Sequence, residues 1–230
     1  MDAFHRRLAQ IGFEAGDDLG LVLAGGYAIA QYNLTSRPSQ DVDFATASAL
    51  PLPQIADRLA QAYRDAGLAV ALIESTPRMA RLEVRDHSQV CEIDLLKEAI
   101  GPPAMLSVGP VLAIDDAIGL KVRALHDRTT HRDFIDVHSA TNAGYTRGDL
   151  ERLGRRHTPD FSPTELADRL SGAADLNDRG FAAYGLDAAT IRDLRAWAAE
   201  WESDLRSRPA AEPDSVRRPD EPDWDAYLDK

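Results

Sequence analysis

The chain has 230 residues, 44% of them hydrophobic and 28% charged, with a net charge of −12 and a single cysteine, Cys91. Such a composition can bury one sizeable core with an appendage, or two small ones. It argues against a protein coated in basic surface for non-specific nucleic-acid binding, and one cysteine allows neither an internal disulfide nor a cysteine zinc site. No apolar stretch approaches the roughly 20 residues needed to cross a bilayer. The first residues, Met1 to Arg7, lack the apolar core of a signal peptide. A cytoplasmic location with no membrane partner is therefore expected.

In chain order, Ala3 to Phe13 predicts a short amphipathic helix. Leu19 to Ala24 is an apolar run ending at Gly25-Gly26, which predicts a buried strand closing in a tight turn, then a short helix from Tyr27 to Leu34. Asp41 to Ala45 alternates and predicts a strand. Ile55, Leu59, Ala62, Tyr63 and Ala66 mark one face of a helix stopped by Gly67. Leu68 to Ile73 predicts a strand. Ala80, Leu82 and Val84 alternate with Arg81, Glu83 and Arg85 in a half-exposed one, and Val90 to Leu96 predicts its hairpin partner across the turn Asp86-His87-Ser88-Gln89.

After Gly101-Pro102-Pro103 the character changes, and from Ile114 to about Arg206 the patterns are helical. The clearest helix has Ile191, Leu194, Trp197, Trp201 and Leu205 behind the cap candidate Asp187. From Ser207 the chain is rich in proline and acids and predicts a flexible tail, with Trp224 and Tyr227 near its end. The fold class expected is α+β: a mixed sheet with helices over residues 1–110, a helical domain over 111–206, and an acidic tail over 207–230.

The chemistry concentrates in Gly25-Gly26 and in Arg37-Pro38-Ser39-Gln40-Asp41-Val42-Asp43. Carboxylates two residues apart on a strand share a face. So placed they repel unless a cation sits between them, and hard oxygen ligands select Mg²⁺. A Gly-Gly turn at a helix start offers bare N–H groups to phosphate. Metal-binding acids beside a phosphate-binding turn are the parts of a metal-assisted nucleotidyl transfer.

These residues resemble the signature of nucleotidyltransferases of the DNA polymerase beta superfamily, and within it the AbiEii/AbiGii toxins of two-gene toxin–antitoxin systems, which include the MenT toxins. Arg37, Ser39, Asp41 and Asp43 match that group's Arg-x-Ser-x-Asp-x-Asp form, with an interval from Gly26 to Asp41 slightly longer than usual. The run Lys121-Val122-Arg123-Ala124-Leu125-His126-Asp127-Arg128, followed by Arg132-Asp133-Phe134-Ile135-Asp136, resembles its later motifs. On one helix Lys121, Arg128 and Arg132 fall near a common face, where three cations can meet a triphosphate and Asp133 and Asp136 can hold them. The superfamily's third acid falls to Glu92 or Asp94, with Asp94 the better fit.

The resemblance implies a polymerase-beta-type core and an enzyme that moves a nucleotide from an NTP to an acceptor hydroxyl, with the tRNA 3′ end as acceptor and a cognate antitoxin as partner. It implies catalytic roles for Asp41, Asp43, Lys121 and Asp136. Nucleotide contacts fall to Gly25, Gly26, Arg37, Ser39, Lys121 and Arg128, and Mg²⁺ to Asp41, Asp43 and Asp94. Two other readings remain open: a nucleotidyltransferase acting on a small aminoglycoside-like molecule, and a non-catalytic binding relative.

Overall fold

The computed structural model describes residues 1–208. The expected tail, with Trp224 and Tyr227, lies outside the described residues from residue 209 on. By their internal contacts the described residues fall into two units: Met1–Asn33 with Pro38–Ala117, and Leu34–Arg37 with residues 118–208.

The first unit is a seven-stranded mixed sheet with helices. Helix α1 (Ala3–Ala15) starts where the Asp2 carboxylate accepts the His5 N–H, an orphan donor that a short acidic side chain satisfies. Its buried residues, Phe4, His5, Leu8, Ala9 and Gly12, recur at helical spacing. Strand β1 is only Val22–Leu23, and α2 is Gly25–Gln31. The expected strand is thus cut to two residues, and the glycines form the helix's first turn instead of preceding it. Strand β2 (Asp41–Thr46) follows, then α3 (Leu52–Asp65). Leu52, Ile55, Ala56, Leu59, Ala60 and Tyr63 make the buried face of α3, each fully buried Leu or Ile contributing about 2 kcal/mol. The Tyr63 hydroxyl donates to Leu8 O at 3.0 Å, tying α3 to α1.

Strands β3 (Ala69–Ser75), β4 (Met79–Asp86) and β5 (Gln89–Lys97) form an antiparallel meander. Its second turn has only His87 and Ser88 between the strands, with His87 at φ +48°, the left-handed conformation that tight hairpins require. Two strands absent from the expectation complete the sheet: β6 (Ala104–Leu106) and β7 (Gly109–Val111). Three residues are too few to show a period of two, and a proline lies in β7, so pattern alone left this segment unassigned. The order is β3-β4-β5-β2-β1-β7-β6, with β2 parallel to β5 and β1 parallel to β7. Helices α1 and α3 pack against this sheet.

The second unit is helical: α4 (Ile114–Asp127, its first turn in the sheet unit), α5 (His131–Asn142), α6 (Arg147–Arg155), α7 (Pro163–Ser171), α8 (Asp178–Ala182) and α9 (Ala188–Ser207). Asp187 caps α9 by accepting the Thr190 N–H at 2.8 Å. Ile191, Leu194, Ala198, Trp201 and Leu205 form its buried face. Trp197, expected among them, is half-buried. The Trp201 indole N–H donates to Glu151 Oε1 at 3.1 Å, which satisfies the polar end of a fully buried ring.

One expected helix is two. The chain leaves helix after Asp127, and Thr130 caps α5 by accepting from Asp133 N–H. Lys121 therefore lies on α4, Arg132 on α5 and Arg128 between them, so the three cations do not share one helix face. The competing signal was Thr130 with Asp133 three residues later, a helix-start pattern. Among the described residues no helix is long and apolar enough to cross a membrane.

Candidate active site

In the sheet unit, Val42 and Phe44 of β2 are fully buried. The alternation therefore turns Asp41 and Asp43 together onto the opposite face, where both are half-buried. Ala24 N–H donates to Asp43 O at 2.8 Å, fixing the start of α2 against β2. Gly25 has φ +59°, and a Cβ built there would overlap the Asp43 carboxylate. Glycine is required twice over at this position, by the backbone conformation and by the closeness of the acid. The Ser39 hydroxyl donates to Asp41 Oδ1 at 2.9 Å, so Ser39 orients an acid. Its own loop is held from α2, where the Tyr27 hydroxyl donates to Ser39 O at 3.4 Å and shares a 2.6 Å hydrogen bond with His5 Nδ1. Burial and nearby Asp2 push the Tyr27 hydroxyl up to about 12, which keeps it a neutral donor.

Register places Asp94 of β5 directly beside Asp43, and Glu92 beside Asp41. On the other side of β5, Arg81 of β4 is the partner of Asp94. Its guanidinium grips Asp94 with two hydrogen bonds of 2.7 Å and lies 3.3 Å from Glu92. The expected third metal acid is thus beside the other two in backbone register, while its carboxylate is engaged by an arginine. Arg81 was not foreseen from sequence, although the signal existed. A two-residue turn at His87-Ser88 fixes the hairpin register, and counting back from it puts Arg81 opposite Asp94. Cys91 packs inward, with burial and then Asp41 pushing its thiol up to about 12; the thiol is no nucleophile.

The helical unit carries the second cluster. Asp136 of α5 is fully buried and accepts from Arg37 Nε at 2.6 Å and from the Arg37 terminal nitrogen at 2.5 Å, while Lys121 Nζ lies 2.9 Å away. Burial by itself raises the Asp136 carboxyl, but Lys121 and Arg37 together outweigh it and hold the group below its ordinary range. Tyr184 lies under the Arg37 guanidinium at 5.7 Å, a cation–π distance. Arg37, expected at the nucleotide, is here a buried fork gripping Asp136. Asp133 receives Arg128 Nε at 2.9 Å and the Thr130 hydroxyl at 2.5 Å, with Arg128 itself exposed.

The donors on β2 are hard carboxylate oxygens on one strand face, a set suited to Mg²⁺ and ill suited to softer metals. Among the described residues no group of three or more His, Cys, Asp or Glu is arranged to hold a metal ion. Asp41 and Asp43 are the residues of this face whose chemistry fits such an ion, which ordinarily takes one or two carboxylates beside waters and phosphate oxygens.

Comparison with known proteins follows the same line. The family described as "Nucleotidyl transferase AbiEii toxin, Type IV TA system" matches residues 7–230. No curated protein matches the chain. Among solved structures, a candidate nucleotidyltransferase from Helicobacter pylori is similar with a TM-score of 0.56 at 18% identity, covering 88% of this chain and 95% of that one. JHP933 from Helicobacter pylori gives 0.53 at 20%, covering 88% and 92%. MenT4, the nucleotidyltransferase toxin Rv2826c from Mycobacterium tuberculosis H37Rv, gives 0.53 at 15%, covering 90% and 85%. At these identities the structures establish the α+β fold.

Proposed function

Because the chain belongs to the AbiEii family of nucleotidyltransferase toxins, we propose that it transfers a nucleotide from an NTP to an acceptor hydroxyl at the 3′ end of tRNA, releasing pyrophosphate. The observation that carries this reading is the pair Asp41 and Asp43 on one face of β2, with Gly25 closed against Asp43. When bound, Mg²⁺ would supply Lewis-acid charge to the reacting phosphate and to the acceptor hydroxyl. Asp41 and Asp43 would hold that ion, and the Ser39 hydroxyl, donating to Asp41 Oδ1, steadies the Asp41 carboxylate for it. Gly25 and Gly26 offer backbone N–H groups to phosphate. Lys121 brings a compact point charge to the triphosphate, and Arg128 a second cation. Asp136, gripped by Arg37, aims the Lys121 ammonium. The bond from the acceptor oxygen to the α-phosphorus forms as the bridging bond to pyrophosphate breaks, and the acceptor hydroxyl's proton passes to water.

The family's description as a toxin–antitoxin system supports a cognate antitoxin, and the cytoplasm as the place of action. Incubation with each labelled NTP and total tRNA tests the reading. Label is expected in RNA, only with divalent cation present, and is lost in Asp41→Ala and Asp43→Ala proteins that keep the wild-type circular dichroism. Full transfer by Asp41→Ala would sink the mechanism. Label in a small cationic hydroxyl compound and none in RNA would transfer it to the other substrate class, which an acidic protein also suits.

A further inference from the structure

The sheet face that bears Asp41 and Asp43 carries a ladder of charge. One cross-strand row runs Asp43, Asp94, Arg81; the next runs Asp41, Glu92, Glu83. Neighbouring strands lie about 4.8 Å apart, and like charges directly beside each other across them repel. Four acids on adjacent positions of β2 and β5 would thus form a square of negative charge. Arg81 breaks the square. Its two 2.7 Å bonds take both oxygens of Asp94, whose side chain is nearly buried, and its third nitrogen reaches Glu92. The fork geometry matters, because a bidentate guanidinium leaves neither carboxylate oxygen pointing its best lone pairs elsewhere.

Resting on the reading of Asp41 and Asp43 as metal ligands, we propose that Arg81 is a positioning residue that holds Asp94 out of the metal's coordination sphere, so that two carboxylates, not three, bind the ion. The guanidinium supplies at Asp94 the positive charge that a third ligand would otherwise seek from the metal. An ion held by two carboxylates keeps more open positions for phosphate oxygens and water. It is also held less tightly, which suits an ion that arrives with the NTP. Arg81 acts through Asp94 and touches no reacting atom.

Mn²⁺ binding to the full chain, followed by the loss of the free-ion spin-resonance signal, tests this without any turnover. Arg81→Met frees Asp94 and is expected to tighten Mn²⁺ by about tenfold, the scale on which residues behind the ligands tune metal affinity. Asp94→Asn in the wild-type background is expected to leave affinity unchanged, and Arg81→Met with Asp94→Asn to return it to the wild-type value. A merely structural role for Arg81 would not produce that reversal. Loss of Mn²⁺ affinity in Asp94→Asn overturns the proposal. So does equal binding in wild type and Arg81→Met, including none in either. If Arg81→Met does not fold, Asp94→Asn alone decides. An Asp41→Asn, Asp43→Asn double variant separates the premise: undiminished binding there rejects the metal site itself, whatever Arg81 does.

Discussion

A single atom decides the fate of position 25. The left-handed backbone and the Asp43 carboxylate each exclude a side chain there, so Gly25→Ala must move either α2 or the acid. The expected outcome is loss of most nucleotidyl transfer together with a lowered melting temperature, since strain at φ above zero costs about 1 kcal/mol or more. Near-normal activity in Gly25→Ala would show that Asp43 need not sit where it does. Lys121→Ala removes one charge from the triphosphate and is expected to cost about a hundredfold in turnover, the size of one lost electrostatic stabiliser. Lys121→Arg should restore only part, because a planar fork replaces a point charge. Single-turnover kinetics with saturating NTP measure both.

Elements hold these residues at two places. Helix α5 buries Asp136 against two cations, and Asp136→Asn removes the buried charge that both Arg37 and Lys121 contact, a change expected to cost about 3 kcal/mol or more by urea unfolding at pH 7. The folded carboxyl lies below its ordinary value of 3.8, so its contribution is complete above that pH. It is lost as pH falls through the folded value. The gap between wild type and Asp136→Asn should therefore narrow below about pH 4; a constant gap down to pH 2 would contradict the assignment. At α9, Asp187→Ala removes the capping acceptor of the Thr190 N–H and should lower the melting temperature slightly with no change in transfer. Both helices show how far pattern reading reaches. The stripe and cap of α9 were legible because both signals are local. The break between α4 and α5 is hidden by a run of basic residues that reads as one continuous face, although Thr130 and Asp133 specify a new helix start.

At the scale of the whole molecule, the toxin reading predicts that expression in a bacterial host arrests growth and that Lys121→Ala relieves the arrest. Colony counts after induction measure it, and harmless expression of an active wild-type protein would favour a small-molecule substrate. The sequence by itself determined the family, the alternation that turns Asp41 and Asp43 to one face, and the hairpin whose register places Arg81 against Asp94. These follow from periods of two and from spacings of a few residues, which the chain writes locally. Only the tertiary structure decided that β6 and β7 extend the sheet, because three-residue strands gain their identity from their partners. It also decided that Gly25 abuts Asp43 and that Arg37 and Lys121 converge on Asp136, ninety-nine and fifteen residues apart in sequence. Burial selects such contacts: a carboxylate removed from water must find cations wherever in the chain they lie, and no local pattern records which ones it will find.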